Sequence, residues 1–395
     1  MHSPESFDTL VLSKERKCRK MKTIHTHMLN LEGTNAEIGQ ALGRMAAEIP
    51  ALRELHSAGM PGFDSEKVRE ARELFKRWCP GLNAELDGFA AALGVAQEQV
   101  FFYAMTYLTP RCSLIALLPS LSADGKPLVA RNYEFTDEME DFCLVRTAVT
   151  GKYAHIGTSV LNFGRDDGIN ECGLSVVFSA CGFPVGPIPN MRAPKIKGLQ
   201  HWAVIRGLLE NCRDVDESLS YLEGMPVASN MNLILADKSG KAALVETIDG
   251  HVSTRCLGPY TDDQIIFATN HAILPELFSY EPEVMAHSVK RYDYIAQELA
   301  GKTAISREKL KEMLLAEYPN GLRTNYFAEY FGTTKSMILS PVDGTIELCW
   351  GGRKENGWET YQVSEALENS TKEININIEK ADSSTWEFLK RDAIN

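Results

Sequence analysis

Arg111-Cys112-Ser113-Leu114-Ile115-Ala116-Leu117-Leu118 sets a polar head on an apolar run, and its reading decides the fold. A short continuous apolar run bounded by turn residues reads as a strand. Ser122-Ala-Asp124-Gly125 closes the run, and Leu128-Val-Ala-Arg131-Asn-Tyr-Glu134 brings the chain back. The two segments read as a β-hairpin with a cysteine at its head.

Outward from this hairpin the chain changes character. Upstream, Ala36 to about Ala58 carries apolar residues at helical spacing, and Ser65 caps a second helix that Pro80-Gly81 stops. Leu82 to Leu93 forms a third, ending at Gly94. Downstream, Cys143–Thr150 and Tyr153–Ser159 read as strands, Asp167–Gly173 as a turn and Leu174–Ser179 as a buried strand. Asp237-Lys-Ser-Gly240 joins two more strands and Asp343-Gly344 another pair, with Gln264–Thr269 between. Helices are expected over Leu199–Cys212, Pro282–Leu299 and Ser306–Ala316. Consecutive hairpins imply antiparallel sheet and separate helical runs imply helices layered on it, an α+β fold. Four stretches follow: a polar tail (1–22), a helical segment (23–111), a catalytic core (112–365) and a polar C-terminal tail (366–395). Gly182–Gly198, with four prolines and three glycines, reads as a loop, either a lid or binding loop or a plain surface excursion.

Composition narrows the chemistry. The 395 residues carry 44% hydrophobic content and a formal charge of −12, which argues against nucleic acid or an anionic membrane as partner. No apolar stretch approaches the roughly 20 residues of a membrane helix, and the charged first twenty residues do not resemble a secretory signal. Nine scattered cysteines without a C-x-x-C pair favour reduced thiols in the cytoplasm over disulfides or a metal site. Phosphate-binding, dinucleotide and zinc-peptidase motifs are absent, so neither a cofactor nor a metal is expected.

Cys112 alone reads equally as a small core side chain. Its place at the head of a strand, after Pro110-Arg111 and where helices give way to sheet, favours a nucleophile. If the chain is cut before it, the freed α-amine, with a pKa of about 8 in model compounds, serves as base for the thiol. On the returning strand, Arg131 would lower the thiol pKa and hold a substrate carboxylate. Glu134 would orient the new ammonium; the alternative is a sheet-edge ion pair between them. Residues three apart on a strand face opposite sides, so both reach Cys112 only if the strand bends. Asn270, at the end of Ala268-Thr-Asn-His271, reads as an oxyanion donor or as a turn asparagine. His271 offers a Cys–His pair or a core histidine, and Asn170 a turn residue.

These residues sit among others with a familiar order. Gly33-Thr-Asn-Ala-Glu-Ile-Gly39, Glu85-Leu-Asp-Gly-Phe-Ala-Ala-Ala-Leu-Gly94, Cys112-Ser113, Arg131-Asn-Tyr-Glu134, Asp167-Gly-Ile-Asn-Glu-Cys-Gly-Leu174 and Thr269-Asn270-His271 follow one another. From about Leu31 to Gly352 the chain resembles the acyl-coenzyme A:6-aminopenicillanic acid acyltransferase family, relatives of bile salt hydrolases and penicillin V acylases. The resemblance implies a four-layer αββα N-terminal-nucleophile (Ntn) hydrolase fold and self-cleavage before Cys112. It implies attack by Cys112 on a linear, non-peptide amide or thioester, with Arg131 beside the nucleophile and Asn270 at the oxyanion. The partner it implies is a small acyl amide or acyl-CoA-like substrate, and it leaves a homo-oligomer open. Relatives usually carry Asp where this chain has Glu134, and a small residue where it has Arg111. A processing-deficient member that binds an acylated metabolite without turnover is the competing expectation.

Overall fold

The computed structural model describes residues 20–57, 65–100, 111–160, 163–182, 192 and 195–394. The hairpin read from the sequence is present: Arg111–Leu117 pairs antiparallel with Leu128–Phe135, Cys112 opposite Tyr133 and Leu114 opposite Arg131. The apolar run is continuous because this strand is covered on both sides. Leu114 and Ala116 pack with Phe178 and Leu233 of a second sheet. Ile115 and Leu117 pack with Ile295, Leu310 and Leu314 from helices Ala286–Leu299 and Arg307–Leu315.

The hairpin belongs to a seven-stranded sheet whose order is Ile265–Ala268, Arg111–Leu117, Leu128–Phe135, Phe331–Ser340, Thr345–Trp350, Glu359–Gln362, with Asn325–Tyr326 beside Phe331–Ser340. Against its inner face lies a ten-stranded sheet. It runs from the outer strand His251–Leu257 through Ala242–Ile248, Met231–Asp237, Leu174–Ala180, Asp167–Asn170, His155–Val160 and Cys143–Val149 to Lys20–Gly33 and Ser370–Ile378, with Gly164–Arg165 beside His155–Val160. Helix His201–Asn211, buried along nearly its whole length, covers the far face of that sheet. Helix, sheet, sheet, helix is the expected αββα order.

The first family-like motif is a helix start and a helix contact. Thr34 and Glu37 form a reciprocal cap on helix Asn35–Glu48, the Thr34 N–H donating to Glu37 Oε2 at 2.8 Å. A Cβ at Gly39 would lie 1.8 Å from the Glu85 carbonyl oxygen, so only glycine lets this helix approach Leu82–Leu93. Glu85 in turn accepts both Arg206 Nη1 and Nη2 at 2.6 Å, tying the helical block to helix His201–Asn211.

Three expectations need correction. The 23–111 segment is not wholly helical: Lys20–Gly33 is a fourteen-residue strand, parallel to Cys143–Val149 and antiparallel to Ser370–Ile378. The polar tail from 366 supplies that Ser370–Ile378 strand, and Phe388–Lys390 pairs with Glu283–Met285. The segment from 366 looked polar because an edge strand buries only alternate residues, here Ile374 and Ile376, and Lys20–Gly33 likewise buries Ile24, Thr26 and Met28 in alternation. The long first helix breaks in two at Ile49-Pro50. Pro110, most of the 182–198 loop and nearly all of the 1–22 tail lie outside the described residues. Among those described, no helix is long and apolar enough to cross a membrane.

Candidate active site

Strand alternation sorts the site into two faces. Cys112, Arg131 and Tyr133 point between the sheets, whereas Arg111, Ser113, Asn132 and Glu134 point to the outer helices. Arg131 and Glu134 do face opposite ways, and no bend brings them together.

On the inner face Arg131 Nη2 donates to Cys112 Sγ at 3.3 Å. Its Nη1 bonds Asp167 and, at 2.9 Å, the Asp166 carbonyl. Asp167 is held by the Thr158 N–H and hydroxyl, each 2.8 Å away. Lys335, fully buried, reaches Asp166 at 3.1 Å and Glu140 at 3.2 Å over the Tyr133 ring. His201 Nε2 stands 3.6 Å from Asp166 Oδ1. Two fixed cations thus face three carboxyl groups in a buried interior.

Burial outweighs the pull of Arg131, which does lower the Cys112 thiol as expected. Burial pushes the Cys112 thiol up to about 12, and Arg131 only partly opposes it because Asp167 and Asp166 already engage its charge. Cys112 is therefore held as a thiol rather than a preformed thiolate.

The outer face centres on Arg291 of helix Ala286–Leu299. The neighbouring strand ends at Ala268, so side chains take the Cys112 backbone groups instead. Cys112 N–H donates to Asn270 Oδ1 at 3.1 Å, and Arg291 Nη1 donates to the Cys112 carbonyl at 2.8 Å. Arg291 also donates to Ser113 Oγ at 2.9 Å and Asn270 Oδ1 at 2.6 Å, and lies 3.5 Å from Glu134 Oε2. Arginine has no acceptor, so this contact fixes which end of the Asn270 amide is oxygen. Asn270 Nδ2 donates one hydrogen to the Ala180 carbonyl at 2.7 Å.

Glu134 contacts Arg291 and, at 3.4 Å, the Thr333 hydroxyl; it reaches Cys112 through Arg291 rather than directly. Burial raises its carboxyl to about 7 against the pull of Arg291 and Arg131. His271 turns Nδ1 to Ser288 Oγ at 2.8 Å and stacks edge-on with Tyr292, as a core histidine does. Asn170 closes its turn by accepting from the Cys172 and Leu174 N–H groups.

Sequence reasoning missed Arg291, Lys335, Asp166 and the bonding of Asp167. Arg291 lies in Lys290-Arg-Tyr-Asp293, which reads as a solvated helix face, and Lys335 precedes the apolar run that marked its strand. Asp167 stood inside a quoted motif that read only as a turn; its carboxylate beside glycine-rich strand ends was the available signal.

The site is thus a thiol between two sheets at a strand head, with its own backbone N–H facing an asparagine. The profile of the acyl-coenzyme A:6-aminopenicillanic acid acyl-transferase family matches residues 121–355, well over half the chain, and the chain belongs to that family. Solved structures with similarity include a mutant of conjugated bile acid hydrolase from Clostridium perfringens, at 12% identity and TM-score 0.44 over 69% of this chain and 99% of that one. Penicillin V acylase from Agrobacterium tumefaciens matches at 16% identity and TM-score 0.33 over 62% and 77%. No curated protein sequence matches.

Proposed function

We propose that this chain is an autoprocessing N-terminal-cysteine amidohydrolase or N-acyltransferase, cytoplasmic, acting on a linear non-peptide amide or thioester. The Cys112 thiol attacks the Arg111 carbonyl, the peptide C–N bond breaks and the thiol proton passes to the freed amine. Water resolves the thioester, and the α-amine then acts as base for the thiol on substrate. Arg131 orients the sulfur, and Arg291 with Glu134 holds the Cys112 main chain. The second Asn270 Nδ2 hydrogen is left for the oxyanion.

One observation carries the reading: Cys112 has Arg131 on its sulfur at 3.3 Å and Asn270 on its nitrogen at 3.1 Å. Both atoms that the mechanism uses are already held. Mass spectrometry of purified protein should give fragments of 111 and 284 residues from wild type and an intact chain from Cys112→Ala. An intact wild-type chain that stays intact on incubation contradicts it.

Glu134, which reaches Cys112 only through Arg291, favours a second reading, a processing-deficient protein that binds an acylated metabolite. Iodoacetamide separates the two. Cys112 should react well ahead of the other cysteines in an enzyme, and no faster than they do in a binder.

A further inference from the structure

Arg111, the residue before the cut, is itself held in a built site. Its Nη1 donates to the carbonyl oxygens of Glu329, at 3.2 Å, and Tyr330, at 2.9 Å. Its guanidinium carbon lies 5.7 Å from the Phe331 ring centre and 5.2 Å from that of Trp386. Tyr330 adopts φ +58°, an uncommon conformation for a residue with a side chain. Two carbonyls and two aromatic faces suit a flat, weakly hydrated cation. Burial, then Arg291, push the Arg111 pKa down to about 10 while Glu134 works the other way, so the group stays charged at neutral pH.

The processing chemistry gives this cradle a second use. Attack of Cys112 Sγ on the Arg111 carbonyl forms an S–C bond, breaks the C–N bond and moves the thiol proton to nitrogen. The product is a thioester on Cys112 beside a free α-amine, with the chain ending in Arg111 as its acyl group. A substrate amide gives the same species with a different acyl group, its amine leaving with the proton. Water then adds to either carbonyl, releasing a carboxylate and restoring the thiol. The first acyl-enzyme this protein makes is therefore an arginyl one.

We propose that the Glu329 and Tyr330 carbonyls with Phe331 and Trp386 form the acyl-group subsite, and that its substrates carry a guanidinium or similar planar cation on the acyl side. The assignment rests on the Cys112 reading and adds the substrate class to it.

The test uses wild-type protein whose fragment masses have been checked. Alkylation of Cys112 by iodoacetamide is followed in the presence of Nα-acetyl-arginine, the processed chain end in miniature, or Nα-acetyl-norleucine. Arginine should protect at a concentration at least about tenfold lower, with lysine between them, and Trp386→Leu should cut that ratio at least about threefold. Turnover of the corresponding 4-nitroanilides should follow the same order in kcat/KM. Equal protection by the two acids in processed protein, or a ratio indifferent to Trp386→Leu, overturns the subsite while leaving the nucleophile standing. A chain that remains uncut, with Cys112 unreactive, overturns the nucleophile and the subsite with it.

Discussion

The two faces of the strand Leu128–Phe135 treat charge in different ways. Inside, Arg131 and Lys335 are locked among Asp166, Asp167 and Glu140 between two sheets. Outside, a single arginine, Arg291, spans Asn270, the Cys112 carbonyl, Ser113 and Glu134 from the edge of a helix. The inner set holds the sulfur and the outer set holds the Cys112 main chain. Strand periodicity alone keeps the two apart, so one face can be perturbed while the other stays intact.

Breaking the inner face should cost most. Arg131→Met leaves buried carboxylates uncompensated, an imbalance worth about 3–5 kcal/mol. Denaturant unfolding should report that loss, and no fragments should form. On the outer face, Glu134→Gln leaves Arg291 without its anion but keeps the shape. Processing, followed by fragment appearance, should slow about 10- to 100-fold, with a smaller loss of stability than Arg131→Met gives. Equal stability losses from both substitutions would erase the distinction between the faces.

A pH series sharpens the contrast. Glu134 is raised to about 7 by burial, so the folded chain binds more protons than the unfolded one between about 4.5 and about 7. Its contribution to stability is therefore present at the acid end and lost as pH rises through 7. Processing should run the opposite way, rising through about 7 as the carboxylate forms and pairs with Arg291, and Glu134→Gln should flatten both dependences. The smallest effect belongs to a region remote from either face. Thr34→Ala removes one half of a helix cap and should cost about 1 kcal/mol in unfolding, with the rate of processing unchanged.

What the sequence made legible follows the same physics. Cys112 stands at the head of one hairpin strand, Arg131 and Glu134 on the strand that returns, and Asn270 just past a strand end, where local signals are strong, and the fold does gather them around Cys112. The α+β layering was legible because hairpin turns and helical spacing are local too. Arg291 and Lys335 carry no such mark: a charge on an amphipathic helix and a charge just before an apolar run both read as solvated until the opposite layer is in place. The strands Lys20–Gly33 and Ser370–Ile378 were hidden for a related reason, since each pairs with a partner some 350 residues away in sequence. Glu134 was legible as a site residue but not as an indirect one, because its path to Cys112 runs through an arginine 157 positions downstream.

The central claim is that the working enzyme begins at Cys112, and a reagent selective for an N-terminal cysteine tests it most directly. 2-Cyanobenzothiazole condenses with a 1,2-aminothiol and makes a stable ring only where amine and thiol share one residue. Wild-type protein treated with it and digested should yield one stable adduct, on the peptide that starts Cys112-Ser113-Leu114, and Cys112→Ala should yield none. Wild-type protein that carries no such adduct, with Arg111 still joined to Cys112, would contradict the account.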